Sequence, residues 1–141
     1  MDGTPDFFAA LQKQHQINLD HKQRASLIDF FRQYNCPQPY YINDYLSAAD
    51  KDHLDYRLLP AISMQESTCG KSYPVATHNL WGWQSARISF LSIPQGIEFV
   101  SKQLAEGSFY KDKTLDQKLR AYNPNPAYAG EVERLMGEIS K

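Results

Sequence analysis

The sequence predicts a single domain of the mainly α-helical class. Apolar residues recur at three- and four-residue spacing in several segments, and capping or helix-breaking residues separate those segments. A chain of 141 residues with 42% hydrophobic residues can bury one sizeable core and has the length of one domain. The predicted helices cover residues 20–34, 41–52, 55–66, 92–105, 115–122 and 127–140.

The first predicted helix is amphipathic and follows an N-terminal extension. Its apolar side chains recur near helical spacing: Ala25, Leu27, Ile28, Phe30 and Phe31. Asp20 is a candidate N-cap for this helix, and a shorter helix follows over residues 41–52. Residues 1–16 are predicted to be loosely attached, since chain ends are the least tied down, and residues 17–141 to form the folded domain.

The helix predicted over residues 55–66 ends in a glutamate on its apolar face. Ile62 and Leu59 lie four and seven residues before Glu66, so the carboxyl group shares the stripe that faces the core. Pro60 falls near the first turn, where proline is tolerated. Burial disfavours the ionised form and raises the pKa of a carboxyl group, which makes Glu66 a candidate proton donor. The alternative is a glutamate that only caps or salt-bridges a helix end.

The segment after Glu66 is predicted to be a helix end followed by an irregular region. Gly70 is expected to adopt the left-handed cap conformation, and Lys71 to complement the carbonyl end of the helix. Residues 73–91 lack helical periodicity, so this loop region has room for short β-strands. Asp and Glu are absent from residues 67–97, so chemistry in this region depends on one carboxyl group.

Capping residues delimit the last three predicted helices. Ser92 and Pro94 open the fourth helix, Gly107 ends it, and Thr114 can cap the fifth. The apolar residues that support the fourth and sixth helices are Ile97, Val100, Leu104, Val132, Leu135, Met136 and Ile139.

Two tryptophans flank a glycine within residues 78–84, between amide side chains. Aromatic faces pack on the C–H surfaces of pyranose rings, and the Asn79 and Gln84 amides can bond hydroxyl and acetamido groups. In an extended segment, side chains two residues apart point in opposite directions. One of Trp81 and Trp83 is therefore expected in the core and the other toward a ligand. Core packing is the alternative for either indole.

A third candidate element lies where the fifth predicted helix ends. Pro124 disfavours helix at Asn123, so Tyr122 and Asn123 are expected at the helix end. A phenol in that place can orient a carboxylic acid or a substrate. The alternative is a turn in which Asn123 bonds its own backbone and Tyr128 covers the next helix.

Charge and composition exclude several classes of protein. The net charge of −1 and the dispersed basic residues disfavour a nucleic-acid partner. No apolar run reaches the length of a membrane span, and the first residues lack the features of a signal peptide, so an export signal would have been removed or replaced by another route. The four histidines show no metal-ligand spacing, and no metal or other cofactor is predicted.

Cys36 and Cys69 are the only cysteines of the chain. An even pair suits a disulfide in an exported domain, where it would tie the segment around Cys36 to the loop beside Glu66. Two buried free thiols are the alternative, because cysteine is also a common small core residue.

Taken in order, these motifs resemble the lysozyme-like peptidoglycan-cleaving enzymes. A Glu-Ser-x-x-Gly-Lys-Ser block at residues 66–72, followed by Asn-Leu-aromatic-Gly at 79–82, is similar to bacterial endo-β-N-acetylglucosaminidases. The Glu-Ser pair, the loop at residues 82–84 and Ala-Tyr-Asn at 121–123 are similar to lytic transglycosylases. The resemblance covers about residue 40 to the C-terminus. Only one residue separates Gly82 from Gln84, where the transglycosylase loop has two, so the branch stays open.

The resemblance implies a lysozyme-like domain that cleaves β-1,4 bonds of an N-acetylated glycan, with peptidoglycan as partner. It implies a monomer located outside the cytoplasm, in the periplasm, in the cell wall or secreted. Glu66 would be the general acid and base, and Tyr122 would orient it or the substrate. The residues that would contact the glycan are Ser67, Asn79, Trp81, Trp83, Gln84 and Asn123.

Most glycosidases use a second carboxylate, and none lies near Glu66 in the sequence. The resemblance implies that the acetamido oxygen of the substrate attacks the anomeric carbon instead. Glu98, Asp112 and Glu131 are the distant acids that folding could still bring to the cleft.

Two other classes of function stay open. The first is a non-catalytic module that binds peptidoglycan or a chitin-type glycan on the same fold, and the second is a structural domain of a cell-wall assembly. A binding module needs no protonated acid, so the pair Glu66-Ser67 favours an enzyme.

Overall fold

The computed structural model describes residues 4–140 and contains six α-helices in that range. They are α1 (Thr4–Gln33), α2 (Ile42–Asp52), α3 (Leu58–Ser67), α4 (Ile93–Glu106), α5 (Leu115–Tyr122) and α6 (Tyr128–Ile139). Two short 3-10 helices, Val75–Thr77 and Trp83–Ala86, lie between α3 and α4. The mainly α-helical class is confirmed. The described residues form no β-strand. The loop region after α3 is therefore irregular, as expected, and does not contain the short β-strands that its length allowed.

The prediction that the first helix starts at Asp20 is wrong. Helix α1 is continuous from Thr4, and Asp20 accepts a side-chain hydrogen bond from Gln16 within it instead of capping it. No glycine or proline interrupts residues 6–33, and side-chain pairs four residues apart support the exposed part of the helix. Side chains 6–22 are exposed, and α1 joins the core only through its C-terminal part.

One hydrophobic core is surrounded by the helices, with α3 near its centre. Leu58, Leu59, Ala61 and Ile62 of α3 are all buried. Helix α3 packs on α6, α2 packs on α4 and α1, and α5 packs on α6. Because α3 is enclosed in this way, Glu66 in its last turn is held by the packing of several elements. Of the helices within residues 4–140, none combines the length and apolar character needed to cross a membrane.

Most of the predicted helix ends are confirmed. Ser92 accepts a hydrogen bond from the Gln95 amide at the start of α4, and Gly107 follows its last residue. Thr114 and Gln117 form a capping box at the start of α5.

The end of α3 differs from the prediction in two respects. The left-handed cap residue is Thr68 instead of Gly70, although Cys69 and Gly70 also have positive φ angles. The Lys71 ammonium donates a hydrogen bond to the Tyr34 carbonyl after α1, so it does not complement the end of α3. The turn after α3 is therefore shaped by a contact with the end of another helix.

Cys36 and Cys69 form a disulfide, with their Cα atoms 5.6 Å apart. The free-thiol alternative is thereby excluded. The bridge joins the chain just after α1 to the turn just after α3, with a sequence separation of 33 residues. It restrains the same turn that Lys71 contacts.

We expect loss of this bridge to destabilise the fold. A double Cys36→Ser, Cys69→Ser variant should lose about 3 kcal/mol of unfolding free energy, because a closed loop of this length restricts the unfolded chain. Urea unfolding followed by circular dichroism measures the loss. Reductant should lower the wild-type midpoint and leave the variant unchanged. A wild-type midpoint that is insensitive to reductant would contradict the bridge.

Candidate functional site

Glu66, the second-last residue of α3, lies in a cleft of about 760 Å³. Four segments form its walls: the turn after α3, the part of the loop before α4 that contains the second 3-10 helix, the turn after α4 and the end of α5. The lining residues are 66–67, 72–74, 79, 82–87, 103, 107–110 and 122–123. The cleft thus brings together three segments that the sequence analysis had singled out.

Gly82 lies directly against the Glu66 carboxyl group. A Cβ atom at position 82 would be 2.4 Å from Glu66 Oε1, which is closer than nonbonded atoms approach. The φ angle of Gly82 is +62°, in the left-handed region that glycine adopts most easily. Both steric demands explain the glycine between the two tryptophans.

Glu66 is half-buried, and burial raises the pKa of its carboxyl group. The Tyr128 hydroxyl opposes this effect, because donation from it to the carboxylate lowers the pKa of Glu66, although the two groups form no regular hydrogen bond in the described structure. Glu66 is the only acid and Arg87 the only Lys or Arg among the residues that line the cleft. This environment favours a protonated carboxyl group that can donate its proton, as its place on the apolar stripe of α3 predicts.

Three buried or half-buried phenols surround the Glu66 side of the cleft. Tyr122 stacks on Tyr128 with ring centroids 6.0 Å apart and an interplanar angle of 6°. Tyr110 packs against Tyr122 at 6.4 Å. Burial raises the pKa of all three hydroxyl groups, so they stay protonated. They therefore add no charge to this side of the cleft.

Tyr122 lines the cleft, and its role in orienting the acid or the substrate stays a prediction. Its hydroxyl donates a hydrogen bond to the Trp81 carbonyl, which can only accept. The Tyr122 oxygen can therefore accept a hydrogen bond from a protonated Glu66, but Tyr122 has no further proton to donate. Its main contact holds the end of α5 against the loop that contains Gly82.

The two tryptophans point in opposite directions, as their spacing predicts. Trp83 lines the cleft and packs against Tyr110 and Tyr122. Trp81 is 0% exposed and packs in the core against Tyr45 and Phe90. The prediction that Trp81 contacts a glycan is thus wrong, since its indole does not reach the cleft.

The polar atoms of Ser67 and Asn79 are used inside the protein. Asn79 donates hydrogen bonds to the Trp83 and Ile88 carbonyls and accepts one from the Trp83 amide. Ser67 donates to the Ser63 carbonyl and accepts from the Gly70 amide. Both residues lie at the cleft wall, and their side-chain donors are used within the protein to shape its loops. Contact of either residue with a glycan stays a prediction.

Gln84 and Asn123 line the cleft with side chains available to a ligand. Gln84 is exposed in a left-handed turn of the loop. The Asn123 side-chain oxygen accepts a hydrogen bond from the Asn125 backbone amide, and its NH₂ group has no partner among the described residues. These two amides, with Trp83, are the predicted binding residues that the fold brings into position.

The distant acids do not join Glu66. Glu98, Asp112 and Glu131 are absent from the cleft lining. Glu98 lies 3.7 Å from Lys51 on the surface, and Glu131 pairs with an arginine of its own helix. Within the described chain, the cleft therefore contains one carboxyl group. No group of three potential metal ligands occurs in the same range.

Three site residues were not predicted from the sequence: Tyr128, Tyr110 and Arg87. Tyr128 opens the apolar face of α6, which made it a core residue by pattern. Tyr110 lies in a segment without periodicity, and Arg87 follows a run of left-handed residues that local sequence does not predict. Only the excess of aromatic residues in the chain could have pointed to the two tyrosines.

Comparisons with known proteins give no relative from which the role of the cleft can be inferred. No protein-family model, curated protein or solved structure matches the chain. The interpretation therefore depends on Glu66, the phenols around it and the loop that contains Gly82.

Replacement of Gly82 tests the contact with Glu66. Gly82→Ala should lower the free energy of unfolding by about 1–2 kcal/mol, because the left-handed conformation is costly for alanine. Gly130→Ala is the matched control: its added Cβ meets open space on α6, and it should be neutral or stabilise by up to about 1 kcal/mol. Urea unfolding gives both values. A Gly82→Ala variant as stable as wild type would contradict the geometry.

Proposed function

We propose that this protein is a lysozyme-like glycosidase that cleaves β-1,4 bonds of the peptidoglycan glycan strand. The supporting observation is that the cleft has aromatic walls and a single carboxyl group, that of half-buried Glu66. Burial raises the pKa of this carboxyl group. A raised pKa keeps such a group protonated to higher pH than an exposed glutamate, and the protonated form can donate to a leaving glycosidic oxygen. The motifs around residues 66–72, 79–84 and 121–123 supply the link to the peptidoglycan-cleaving enzymes.

The proposed reaction begins with proton transfer from Glu66 to the glycosidic oxygen. Positive charge develops at the anomeric carbon as the bond to the leaving sugar breaks. The acetamido oxygen of the same sugar forms a bond to that carbon from the opposite face, which replaces the second carboxylate that the cleft lacks. The leaving sugar departs with the proton of Glu66 as a free hydroxyl.

Glu66, now a carboxylate, acts as the base in the second step. It removes a proton from the attacking hydroxyl group, whose oxygen bonds to the anomeric carbon and releases the acetamido oxygen. When water attacks, the product has a reducing end, as in a glucosaminidase. When the muramyl 6-hydroxyl attacks, the product is an anhydro sugar, as in a lytic transglycosylase. Glu66 regains its proton in both cases.

The disulfide supports the extracytoplasmic location that we propose. Disulfides persist in oxidising compartments and are rare in the cytosol. Peptidoglycan lies in those same compartments, so the bridge between Cys36 and Cys69 agrees with a wall-directed enzyme.

Replacement of the acid tests the proposal. Glu66→Gln should reduce the release of fragments from purified peptidoglycan at least about 100-fold, because the amide has no proton to transfer. Glu98→Gln, at an exposed acid outside the cleft, should retain wild-type activity. Mass spectrometry of the products separates anhydro ends from reducing ends. A wild type that binds glycan but releases nothing would favour a binding module instead.

Stability of the Glu66→Gln variant shows whether a loss of activity reflects loss of the fold. Because the folded pKa of Glu66 is raised, wild type loses stability as pH rises through that pKa. The glutamine variant has no such loss, so at pH 7 it should unfold no more easily than wild type. A variant that is less stable at pH 7 would place the effect in folding.

Arg87 tests whether the substrate is anionic. Its Nε atom donates to the Gln84 carbonyl at 3.2 Å, and its two terminal nitrogens have no partner among the described residues. Peptidoglycan carries lactyl and peptide carboxylates, whereas chitin oligomers are neutral. Arg87→Gln should lower kcat/KM about tenfold on peptidoglycan and little on chitin oligomers, since a charge-assisted hydrogen bond is lost. Lys102→Gln, outside the cleft, is the charge-matched control. Equal losses on both substrates would contradict recognition of an anion.

A further inference from the structure

The Tyr128 hydroxyl is a buried polar group without a regular hydrogen-bond partner. Tyr128 is 5% exposed and opens α6, and its oxygen is buried with no partner in the described structure. Buried hydroxyl groups are nearly always bonded, because an unpaired one costs free energy. The hydroxyl lies beside the Glu66 carboxyl group, to which it can donate. The fold thus keeps an unused donor next to the proposed catalytic acid.

Packing and hydrogen bonds restrict the position of the Tyr128 hydroxyl. The Tyr128 ring stacks on Tyr122, and α6 packs against α3, the helix of Glu66. At the start of α6, the Tyr128 amide donates to the Asn125 carbonyl and the Ala127 amide to the Asn125 side chain, each at 3.0 Å. Ring, helix start and partner helix therefore restrict the motion of the hydroxyl relative to Glu66.

We propose that Tyr128 is a positioning residue that donates a hydrogen bond to Glu66 when the carboxyl group has released its proton, and so supports its change from acid to base. This inference rests on the proposed function. A hydrogen bond to a carboxylate is stronger than one to a neutral acid, so the contact strengthens as the first step proceeds. Tyr122 cannot replace it, because its proton is bonded to the Trp81 carbonyl.

The groups around Glu66 leave Tyr128 as the main partner of its charge. Tyr122 of α5, Tyr110 before α5 and Tyr73 after α3 stay neutral, because burial raises the pKa of each hydroxyl. Arg87 lines the same cleft and is bonded to the Gln84 carbonyl on the loop. Donation from the Tyr128 hydroxyl to the carboxylate lowers the pKa of Glu66 against the effect of burial. Its removal should therefore raise that pKa.

Tyr128→Phe tests the inference, because it keeps the ring and its stacking and removes only the oxygen. Glu66 must be protonated for the first step, so activity falls on the alkaline side as Glu66 ionises. The alkaline limb of the kcat/KM profile should move up by roughly one pH unit, and kcat at the optimum should fall about tenfold. Tyr34→Phe removes a phenol that is bonded to Glu138 and does not line the cleft, and it should leave the profile unchanged.

A direct titration separates this inference from the proposed function. Carboxyl ¹³C NMR follows Glu66 in wild type and in Tyr128→Phe without any substrate. A higher Glu66 pKa in the variant supports the contact even when no glycan is cleaved, and in that case only the proposed function fails. An unchanged Glu66 titration would overturn the inference, as would an unchanged alkaline limb in an active enzyme.

Discussion

The burial of the Trp81 indole in the core constrains the loop and the end of α5 that lie beside Glu66. The ring packs between Tyr45 and Phe90 and lies against Gly96 of α4, where a Cβ atom would be 2.5 Å from the indole. Its own carbonyl accepts the hydrogen bond of Tyr122, and the next residue, Gly82, lies on the Glu66 carboxyl group. Fixing one large apolar side chain in the core thus sets the loop, the end of α5 and the space around the acid together.

The electrostatic character of the site follows from how few charges that space contains. Apolar and aromatic side chains remove water from Glu66, and the phenols around it stay neutral, so the carboxyl group lacks a strong stabiliser of its ionised form. Arg87 is at the exposed part of the loop. A site with one carboxyl group suits a reaction in which the acetamido oxygen of the substrate takes the place of a second carboxylate, as we propose.

Several motif residues form bonds within the protein that stabilise the cleft. Asn79 joins both ends of the loop, Ser67 shapes the turn after α3, and the disulfide holds that turn to the end of α1. Their order along the chain resembles a catalytic motif, yet their atoms bond within the protein. Of the predicted site residues, all but Trp81 line the cleft.

The sequence by itself determined the helical class, the ends of α4 and α5 and the place of Glu66 on an apolar helix face. Capping, proline geometry and periodicity act over a few residues, so these features are local. Local signals failed where an uninterrupted helix extends beyond the core, as in α1. The tertiary structure decided that Trp81 is a core residue and that Tyr128, not Tyr122, has a free donor beside the acid. Those outcomes depend on how α3, α5 and α6 pack, because residues far apart in the chain supply each contact.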